Sequence, residues 1–331
     1  MIYRILFNLV LKRTNPESAH HLGVVTIRVL FKLGLIRPAN FKDFTAMGLS
    51  FNGPLGMAAG FDKDGELIPE LYALGFGHVE VGTVTALAQP GNPKPRMFRL
   101  PKDRALINRM GFNNNGAKAL AEKLSKLRQS SNQLPVIGIN LGKSKIVELD
   151  RAAEDYAFSA NLLKGLGDYY VINVSSPNTP GLRELQETEA LRSIILAVQK
   201  EIGKDAPLLV KIAPDLTNEA ALEVAKLVNQ LGLSGMIAAN TTISRSNLKS
   251  KPSKITEAGG LSGAPLKTRA SELIPVLRKE LDGDKTIISV GGIETEEEIR
   301  SRLESGADLV QVYTGFVYAG PFWPKRIQKN L

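Results

Sequence analysis

The 331-residue sequence contains no cysteine. This absence excludes disulfide bonds, iron–sulfur clusters held by thiolates, and any cysteine nucleophile or base. Histidine is scarce as well: only His20, His21 and His78 occur, and none lies in an HExxH spacing, so we expect no metal site. Aromatic residues make up only 6% of the chain, yet hydrophobic residues reach 43%, which is enough for a large core.

Long hydrophobic runs are also missing. No stretch of 18 apolar residues is present, so the sequence predicts neither a membrane-spanning helix nor a cleaved signal peptide. The N-terminus carries positive charge instead: residues 1–45 hold seven Lys and Arg but only two acidic residues, in a chain of net charge +9. Since no RNA- or DNA-binding motif accompanies this charge, we expect no nucleic-acid partner.

Two short amphipathic helices are predicted in this basic segment. Apolar residues recur at helical spacing first in residues 2–10 and again in residues 22–33. Asn15-Pro16 marks the start of the second helix and Gly34 its end. Such helices can lie in a membrane interface, with their basic residues near anionic lipid, or pack as a cap on the main domain. The two interpretations are compatible if the apolar face is only partly covered.

From about residue 46 to residue 331, short apolar segments alternate with helical ones. Strands are predicted at residues 55–58, 78–84, 136–140, 169–174, 208–212, 235–239, 286–290 and 309–312. Helices are predicted at residues 116–127, 154–163, 188–202, 218–230, 268–281 and 295–305, with Asn218 and Thr295 as caps. The repeat favours a (β/α)8 TIM barrel with an N-terminal two-helix extension. A doubly wound sheet is the alternative, but no GxGxxG motif follows the first strand.

The most polar of the strand ends is the loop 173–181, Asn-Val-Ser-Ser-Pro-Asn-Thr-Pro-Gly. Taken alone, it is explained equally well as an ordinary turn, since these residue types form turns for local reasons. Almost every other predicted strand also ends in polar residues, among them Lys63, Asn140 and Lys211. Strand ends of a barrel face one common site, so the pattern predicts a polar site there, with Ser176 as the candidate catalytic hydroxyl.

Glycines follow the last two predicted strands. Gly291-Gly292 precedes a helix, and Thr314-Gly315 follows strand eight, while 259–263 is a further glycine-rich segment. Backbone N–H groups and helix N-termini bind anions in such places. The sequence therefore predicts a phosphate-bearing ligand, for which a phosphosugar and flavin mononucleotide (FMN) both remain open.

The polar segments are long enough to compare with known families. They read AAGFDKDG at 58–65, EVGTVT at 80–85, GNPKPR at 91–96, NRMGFNN at 108–114, NVSSPNT at 173–179, KIAPD at 211–215, NTT at 240–242 and GGLSG at 259–263. In these motifs and in their order, from about residue 16 to the C-terminus, the sequence resembles the dihydroorotate dehydrogenases. It is similar to their class 2, quinone-linked branch, because a serine stands where class 1 enzymes carry cysteine and because the N-terminal extension is basic.

The resemblance implies a reaction and its residues. Dihydroorotate is oxidised to orotate in pyrimidine biosynthesis, with Ser176 as the base at substrate C5 and with hydride transfer from C6 to N5 of FMN. The implied substrate-binding residues are Lys63, Asn108, Arg109, Met110, Gly111, Phe112, Asn173, Asn178, Asn240 and Thr241. The implied FMN-binding residues are Ala59, Gly60, Phe61, Asp62, Lys63, Thr83, Asn140, Asn173, Lys211, Ala239, Gly263, Gly292, Tyr313 and Thr314.

The same resemblance gives the N-terminal segment a role. Residues 1–45 would form a membrane-bound tunnel for the quinone, lined by His20, Arg37 and Tyr313, ahead of an FMN-binding barrel at residues 46–331. We expect a monomeric peripheral protein on the cytoplasmic face of a bacterial-type cell membrane.

Two residues depart from expectation. Ser144 stands where the family often has asparagine, next to the flavin strand, and His78 occupies a strand position where an apolar residue is expected. Rival interpretations are another FMN barrel, such as a tRNA-dihydrouridine or dihydropyrimidine reductase, and a non-enzymatic membrane-associated binding protein. A tRNA-dihydrouridine reductase would use a cysteine acid, which this chain lacks. A binding protein leaves the converging asparagines and lysines unexplained.

Overall fold

The computed structural model describes Tyr3, Phe7, residues 12–131 and residues 133–331. The apolar stripe predicted for the first helix (Ile2, Ile5, Leu6, Leu9 and Val10) lies outside the described residues. The second predicted helix is confirmed as α1 (Pro16–Lys32), whose N-cap Asn15 accepts hydrogen bonds from the backbone N–H groups of Glu17 and Ser18. Pro16 at the first helical position fits this cap, because its missing N–H would have no intrahelical partner.

Eight parallel strands close into a barrel in chain order, which confirms the predicted (β/α)8 fold. A hairpin of β1 (Asp43–Ala46) and β2 (Leu49–Asn52) precedes them. The barrel strands are β3 (Leu55–Met57), β4 (His78–Val84), β7 (Val136–Leu141), β8 (Tyr169–Asn173), β9 (Leu208–Ile212), β10 (Gly235–Ala238), β12 (Thr286–Val290) and β13 (Leu309–Val312). Their predicted boundaries were correct to within one residue.

Helices surround the barrel, as expected when both faces of each parallel strand are buried. They are α2 (Ile68–Ala73), α3 (Gly116–Ser130), α4 (Ala152–Leu163), α5 (Thr188–Ile202), α6 (Asn218–Gln230), α7 (Pro252–Ile255), α8 (Lys267–Glu280), α9 (Glu296–Glu304), α10 (Thr314–Ala319) and α11 (Trp323–Gln328). Thr295 forms the predicted cap, as part of a capping box with Glu298. The predicted cap at Asn218 was wrong by one residue: Thr217 accepts the hydrogen bond from the Ala220 N–H, and Asn218 is already helical.

The N-terminal end of the barrel is closed by the β1–β2 hairpin. Phe51 of the hairpin is fully buried against residues from several barrel strands, including Tyr169, Ile237 and Ile288. His78 lies in this layer, and its imidazole occupies the space where a side chain on Gly56 would otherwise stand. The opposite, C-terminal end is left free for a site.

A second sheet lies beside that free end and was not predicted. Its strands β5 (Met97–Leu100), β6 (Ala105–Asn108) and β11 (Gly260–Gly263) are antiparallel, in the order β11-β6-β5. β5 and β6 are joined through a short 3₁₀ turn, Pro101–Asp103, and Leu100, Ala105, Ile107 and Leu261 form a small core of their own. The sheet forms one wall of the region above the barrel.

Helix α1 packs over this same region. Glu17 of α1 accepts hydrogen bonds from Arg96 at 3.1 Å, and Arg28 reaches Glu66 at 2.7 Å. Only Ile27 of the helix is buried, while Leu22 and Val25 are each 56% exposed. Among the described residues, no helix is both long and apolar enough to cross a membrane.

Candidate active site

A polar cleft lies at the C-terminal end of the barrel and encloses about 1120 Å³ of empty space, counting the part open to solvent. Every barrel strand except β7 contributes to its walls, either directly or through the loop that follows. Of the predicted site residues, those that line it are Ala59, Gly60, Lys63, Thr83, Asn108, Met110, Gly111, Phe112, Asn173, Ser176, Asn178, Lys211, Ala239, Asn240, Thr241, Gly263, Gly292, Tyr313 and Thr314. The structure therefore brings most of the predicted set together.

Ser176 lies on the loop that follows β8 and is almost fully buried. Its Oγ accepts a hydrogen bond from the Asn178 backbone N–H at 3.3 Å. Arg183 fixes the loop from behind, because its guanidinium donates to the Ser175 carbonyl at 3.0 Å, to Asp215 at 2.8 Å and to the Thr241 carbonyl at 2.9 Å. The loops after β8, β9 and β10 are thus fixed to one another around Ser176.

Asparagines join neighbouring strand ends at the floor of the cleft. The Asn173 amide donates to Thr83 Oγ1 and to Asn140 Oδ1, both at 2.9 Å. Asn240 donates to Asn173 Oδ1 at 3.2 Å and to Ser175 Oγ at 3.0 Å. An amide can donate and accept at once, so these side chains form a rigid polar surface from β4 to β10.

Lys63 brings a positive charge to the opposite wall. Its Nζ donates to Asn113 Oδ1 at 2.8 Å. Burial, together with the nearby positive charge of Arg96, lowers the pKa of Lys63 to about 8. An ammonium group held in this way gains from pairing with an anion, and a ligand carboxylate is the natural partner.

Unpartnered polar atoms mark places that a ligand can satisfy. Asn178 donates to Asn108 Oδ1 at 3.1 Å, but its own Oδ1 is buried and has no hydrogen-bond partner in the part of the chain that the structure describes. Gln311 Oε1 is likewise unpartnered, although its amide nitrogen is bonded. Both residues line the cleft. Buried polar atoms are rarely left unsatisfied, so the cleft fits a ligand that has hydrogen-bond donors.

The far end of the cleft is built to approach an anion closely. Gly263 and Gly292 have φ values of +99° and +72°, and a Cβ on Gly292 would lie 2.4 Å from the Lys267 Cα. Thr314 Oγ1 donates to Ser262 Oγ at 2.8 Å nearby. With no side chain at these two positions, a ligand can approach the backbone near the N-terminal end of α8, where an anion is favoured.

Several predicted residues do not line the cleft. Arg109 points away from it: its guanidinium donates to Glu257 at 2.6 Å and stacks on Phe98. The carboxylate of Asp62 caps the backbone N–H groups of Glu66 and Leu67. Neither residue is therefore among those that line the cleft, and each side chain is engaged in hydrogen bonds within the protein.

Two other residues predicted to bind the cofactor, Asn140 and Phe61, do not line the cleft either. Asn140 lies beneath the cleft surface and reaches it only through Thr83 and Asn173. Phe61 lines a different, apolar cavity. Ser144 supports the loops rather than a ligand, since its backbone N–H donates to Asp155 and its Oγ accepts from the Leu87 N–H.

The apolar cavity lies between α1, β5 and the C-terminal helices. It encloses about 2110 Å³ on the same measure. His20 and Tyr313, both predicted for a tunnel, are among the residues that line it, together with Phe61, Phe316 and Trp323. The His20 ring packs edge-on against Phe61 at 4.9 Å, and Phe61 packs against Tyr313 at 5.6 Å. Burial and the charge of Lys63 lower the pKa of His20 to about 4, so it is neutral at ordinary pH.

Arg37 was predicted for this cavity but is not among the described residues that line it. Its Nε donates to the Gly34 carbonyl at 3.1 Å, where it closes the end of α1. Two other arginines line the cavity, Arg326 of α11 and Arg99 of β5, and neither was predicted. Arg99 Nη1 donates to the Thr14 carbonyl at 2.6 Å. Alternation within the short strand β5 was the signal that could have found it.

Comparison with known proteins shows which family has this sequence and architecture. The sequence pattern of the family described as Dihydroorotate dehydrogenase matches residues 43–331. A protein of Leifsonia xyli subsp. xyli named Dihydroorotate dehydrogenase (quinone) is 52% identical over 100% of this chain and 98% of its own length. An Arthrobacter sp. (strain FB24) protein of the same name is 51% identical over the same shares. The crystal structure of Eimeria tenella DHODH in complex with ferulenol has a TM-score of 0.89 and 37% identity, covering 99% of this chain and 93% of that one. The chain belongs to the dihydroorotate dehydrogenase family.

Proposed function

We propose that this chain oxidises dihydroorotate to orotate in pyrimidine biosynthesis, holds FMN in the polar cleft, and passes the electrons to a quinone in the apolar cavity. The observation that carries the proposal is the contact between the two cavities. Tyr313 and Met97 line both, so a molecule in the cleft and one in the cavity lie on either side of the same side chains. The rival FMN-barrel reductases acting on RNA or free pyrimidines have no use for such a cavity.

Residues of the cleft fit FMN. The glycines at 263 and 292 admit a phosphate, and the orphaned Gln311 Oε1 and the polar floor of Thr83, Asn173 and Lys211 suit a flat ring with donors and acceptors. When bound, FMN supplies the acceptor for the substrate's hydride. The Asn140 side chain acts beneath this floor, as its hydrogen bonds to Thr83 and Asn173 fix both.

Ser176 takes the proton from substrate C5 as the hydride leaves C6. A serine hydroxyl is a weak base, so its neighbours must hold it in place and the proton must move onward. The Arg183 contacts and the Asn178 N–H hold the loop and the Oγ. Lys63 binds the substrate carboxylate, and Asn108, Asn178, Asn240 and Thr241 hydrogen-bond the substrate ring. Arg109 holds the neighbouring segment in place through Glu257 without reaching the substrate.

The quinone enters beneath α1. Leu22 and Phe322 line the cavity and are also 56% and 62% exposed, which marks an apolar opening. Val25 and Val29 extend the exposed apolar surface along the same helix. With the basic charge of residues 1–45, this surface binds a membrane interface. The protein acts as a peripheral monomer on the cytoplasmic face of the cell membrane.

An absorption spectrum tests the central proposal. The purified protein should show bound oxidised flavin, which dihydroorotate bleaches and a water-soluble quinone restores. A protein that binds no FMN, or whose flavin dihydroorotate does not reduce, would refute it.

Membrane contact has a separate test. A Leu22→Ser, Val25→Ser, Val29→Ser variant should lose binding to vesicles containing anionic lipid while keeping flavin reduction. Leu196→Ser is a matched control, because Leu196 is similarly exposed but lies on α5. Equal vesicle binding by both variants would contradict the proposed membrane surface.

A further inference from the structure

A buried carboxylate lies directly beneath the floor of the polar cleft. Glu80, in the middle of β4, has no exposure to solvent. One of its oxygens accepts from Asn140 Nδ2 at 2.7 Å and from Lys211 Nζ at 3.2 Å. The other accepts from Gln311 Nε2 at 2.7 Å. The Tyr169 hydroxyl lies 3.5 Å from the same oxygen, and burial together with the Glu80 charge holds its pKa well above the usual range, so it stays a neutral donor.

Glu80 is connected to the cleft through its hydrogen-bond partners. Lys211 and Gln311 line the cleft themselves, and Asn140 is bonded to Thr83 and Asn173, which also line it. The Lys211–Glu80 pair is almost entirely shielded from solvent, with side chains that are 5% and 0% exposed. Electrostatic interactions weaken little over short distances in such surroundings, so the charge on Glu80 acts on whatever occupies the cleft.

We propose that Glu80 is a positioning residue that compensates the charge of Lys211 and thereby keeps the reduction potential of the bound flavin low enough for the quinone to reoxidise it. This inference rests on the proposed function. FMN gains electrons when it is reduced, so an uncompensated cation at the cleft floor would favour the reduced form. The paired carboxylate removes most of that effect, and it also fixes where the ammonium group lies.

The negative charge of Glu80 can be removed by a substitution that changes the packing little. Glu80→Gln keeps the shape of the side chain and one carbonyl oxygen for Lys211 and Asn140. The new amide nitrogen would face Gln311 Nε2, which is also a donor. Gln311 Oε1, however, has no hydrogen-bond partner among the described residues. A half-turn of the Gln311 amide can present that oxygen, so the substitution changes the charge more than the packing.

The test is a redox titration of the flavin in the holoenzyme against a reference dye at pH 7. In Glu80→Gln we expect the equilibrium to shift about tenfold toward the reduced flavin, about 30 mV for a two-electron couple. Tyr169→Phe is the matched control, since it removes a donor from the same carboxylate without changing any charge, and its shift should be less than threefold. A shift of less than threefold in Glu80→Gln, a shift toward the oxidised flavin, or an equal shift in Tyr169→Phe would overturn the proposal.

A second pair of variants covers the case in which Glu80→Gln fails to fold with FMN. Lys211→Gln should shift the equilibrium toward oxidised flavin, and the double variant Glu80→Gln, Lys211→Gln, in which both charges are gone, should return to within threefold of the wild type. A double variant that matches Lys211→Gln would overturn the proposal. Reduction of the wild type by dihydroorotate is followed in parallel, so failure of the proposed function is seen separately from failure of this inference.

Discussion

The polar cleft and the apolar cavity share a wall but are built in different ways. The cleft is formed by strand ends and the loops after them, with each side chain held by a hydrogen bond to the next, as in the chain from Asn140 through Asn173 to Asn240. The cavity is assembled from an N-terminal helix, one strand of the accessory sheet and the last helices of the chain. Its lining side chains pack mainly through aromatic edges.

The difference agrees with what the proposed function requires of each site. Moving a proton and a hydride requires groups held at fixed positions, and rigid strand ends provide them. Admitting an apolar molecule from a membrane requires space and a surface that lipid can cover, for which a helix packed over the barrel is sufficient. The two meet at Tyr313, Met97 and Leu106, which line both.

Removing the catalytic hydroxyl should have the largest effect and should affect the cleft alone. We expect Ser176→Ala to slow flavin reduction by dihydroorotate about 10²- to 10⁴-fold, the usual contribution of a positioned base. Rapid-mixing absorbance measures this step, and reoxidation of chemically reduced flavin by quinone should keep its wild-type rate. Unchanged flavin reduction would remove Ser176 from its role.

Filling the apolar cavity should produce the reverse pattern. Gly23 of α1 lines the cavity, and no described residue lies within 4 Å of where its side chain would begin. Gly23→Phe should raise the KM for quinone at least about tenfold, equivalent to about 1.4 kcal/mol, without slowing flavin reduction. Gly23→Ala, which leaves most of the space open, serves as the control. If the phenylalanine variant slowed dihydroorotate oxidation equally, the two cavities would not be separate.

The same contrast explains what could be predicted from the sequence. Cleft residues such as Ser176, Asn173 and Lys211 lie close to the C-terminal ends of apolar strands or just after them, so an apolar run that ends in polar residues was enough to identify them. Glu80 was missed because it lies inside a strand rather than at its end, and its partner Lys211 is 131 residues away. Only the closed barrel brings the two together.

Side-chain direction limited the remaining predictions. Arg109 follows Asn108 at the end of β6, but its side chain turns to Glu257 and Phe98, and no local pattern reveals that choice. Of the residues predicted for a tunnel, His20 lines the cavity whereas Arg37 does not, and the arginines that line it are Arg99 and Arg326. The accessory sheet that carries Arg99 was not predicted, so its inward-facing side chains could not be assigned.

Changing the pH should separate the two sites more gradually. Lys63 has a pKa lowered to about 8, so the free enzyme loses this charge as the pH rises through 8. The KM for dihydroorotate should then rise, up to about tenfold per pH unit. The pKa of His20 is lowered to about 4, so this residue stays neutral from pH 6 to 9 and the KM for quinone should stay constant. Steady-state kinetics over this range measure both, and Lys63→Met should have a high KM for dihydroorotate at every pH. Parallel rises for the two substrates would contradict their independence.

The smallest effect on activity should come from the barrel end that neither cavity reaches. His78 is fully buried, neither ring nitrogen has a hydrogen-bond partner among the described residues, and burial lowers its pKa to about 3. In the unfolded chain, the imidazole of His78 binds a proton as the pH falls below about 6.5, but in the folded chain it stays neutral until the pH approaches 3. Acidification between these values therefore lowers the free energy of unfolding. At pH 5, His78 lowers the free energy of unfolding by about 2 kcal/mol relative to its value well above pH 6.5.

The variant His78→Leu should remove this dependence. Urea unfolding at pH 7.5 and pH 5 should show a smaller loss of stability on acidification than in the wild type, by about 2 kcal/mol. Contributions from His20, and the opposite one from Asp62, whose pKa burial raises to about 6, occur in both proteins and cancel in the comparison. Flavin reduction and quinone turnover at pH 7.5 should not change, because the imidazole contacts the hairpin end of the barrel at Phe51 and Tyr169 and lines neither cavity. An equal acid sensitivity in the two proteins would show that the buried imidazole takes up its proton without unfolding.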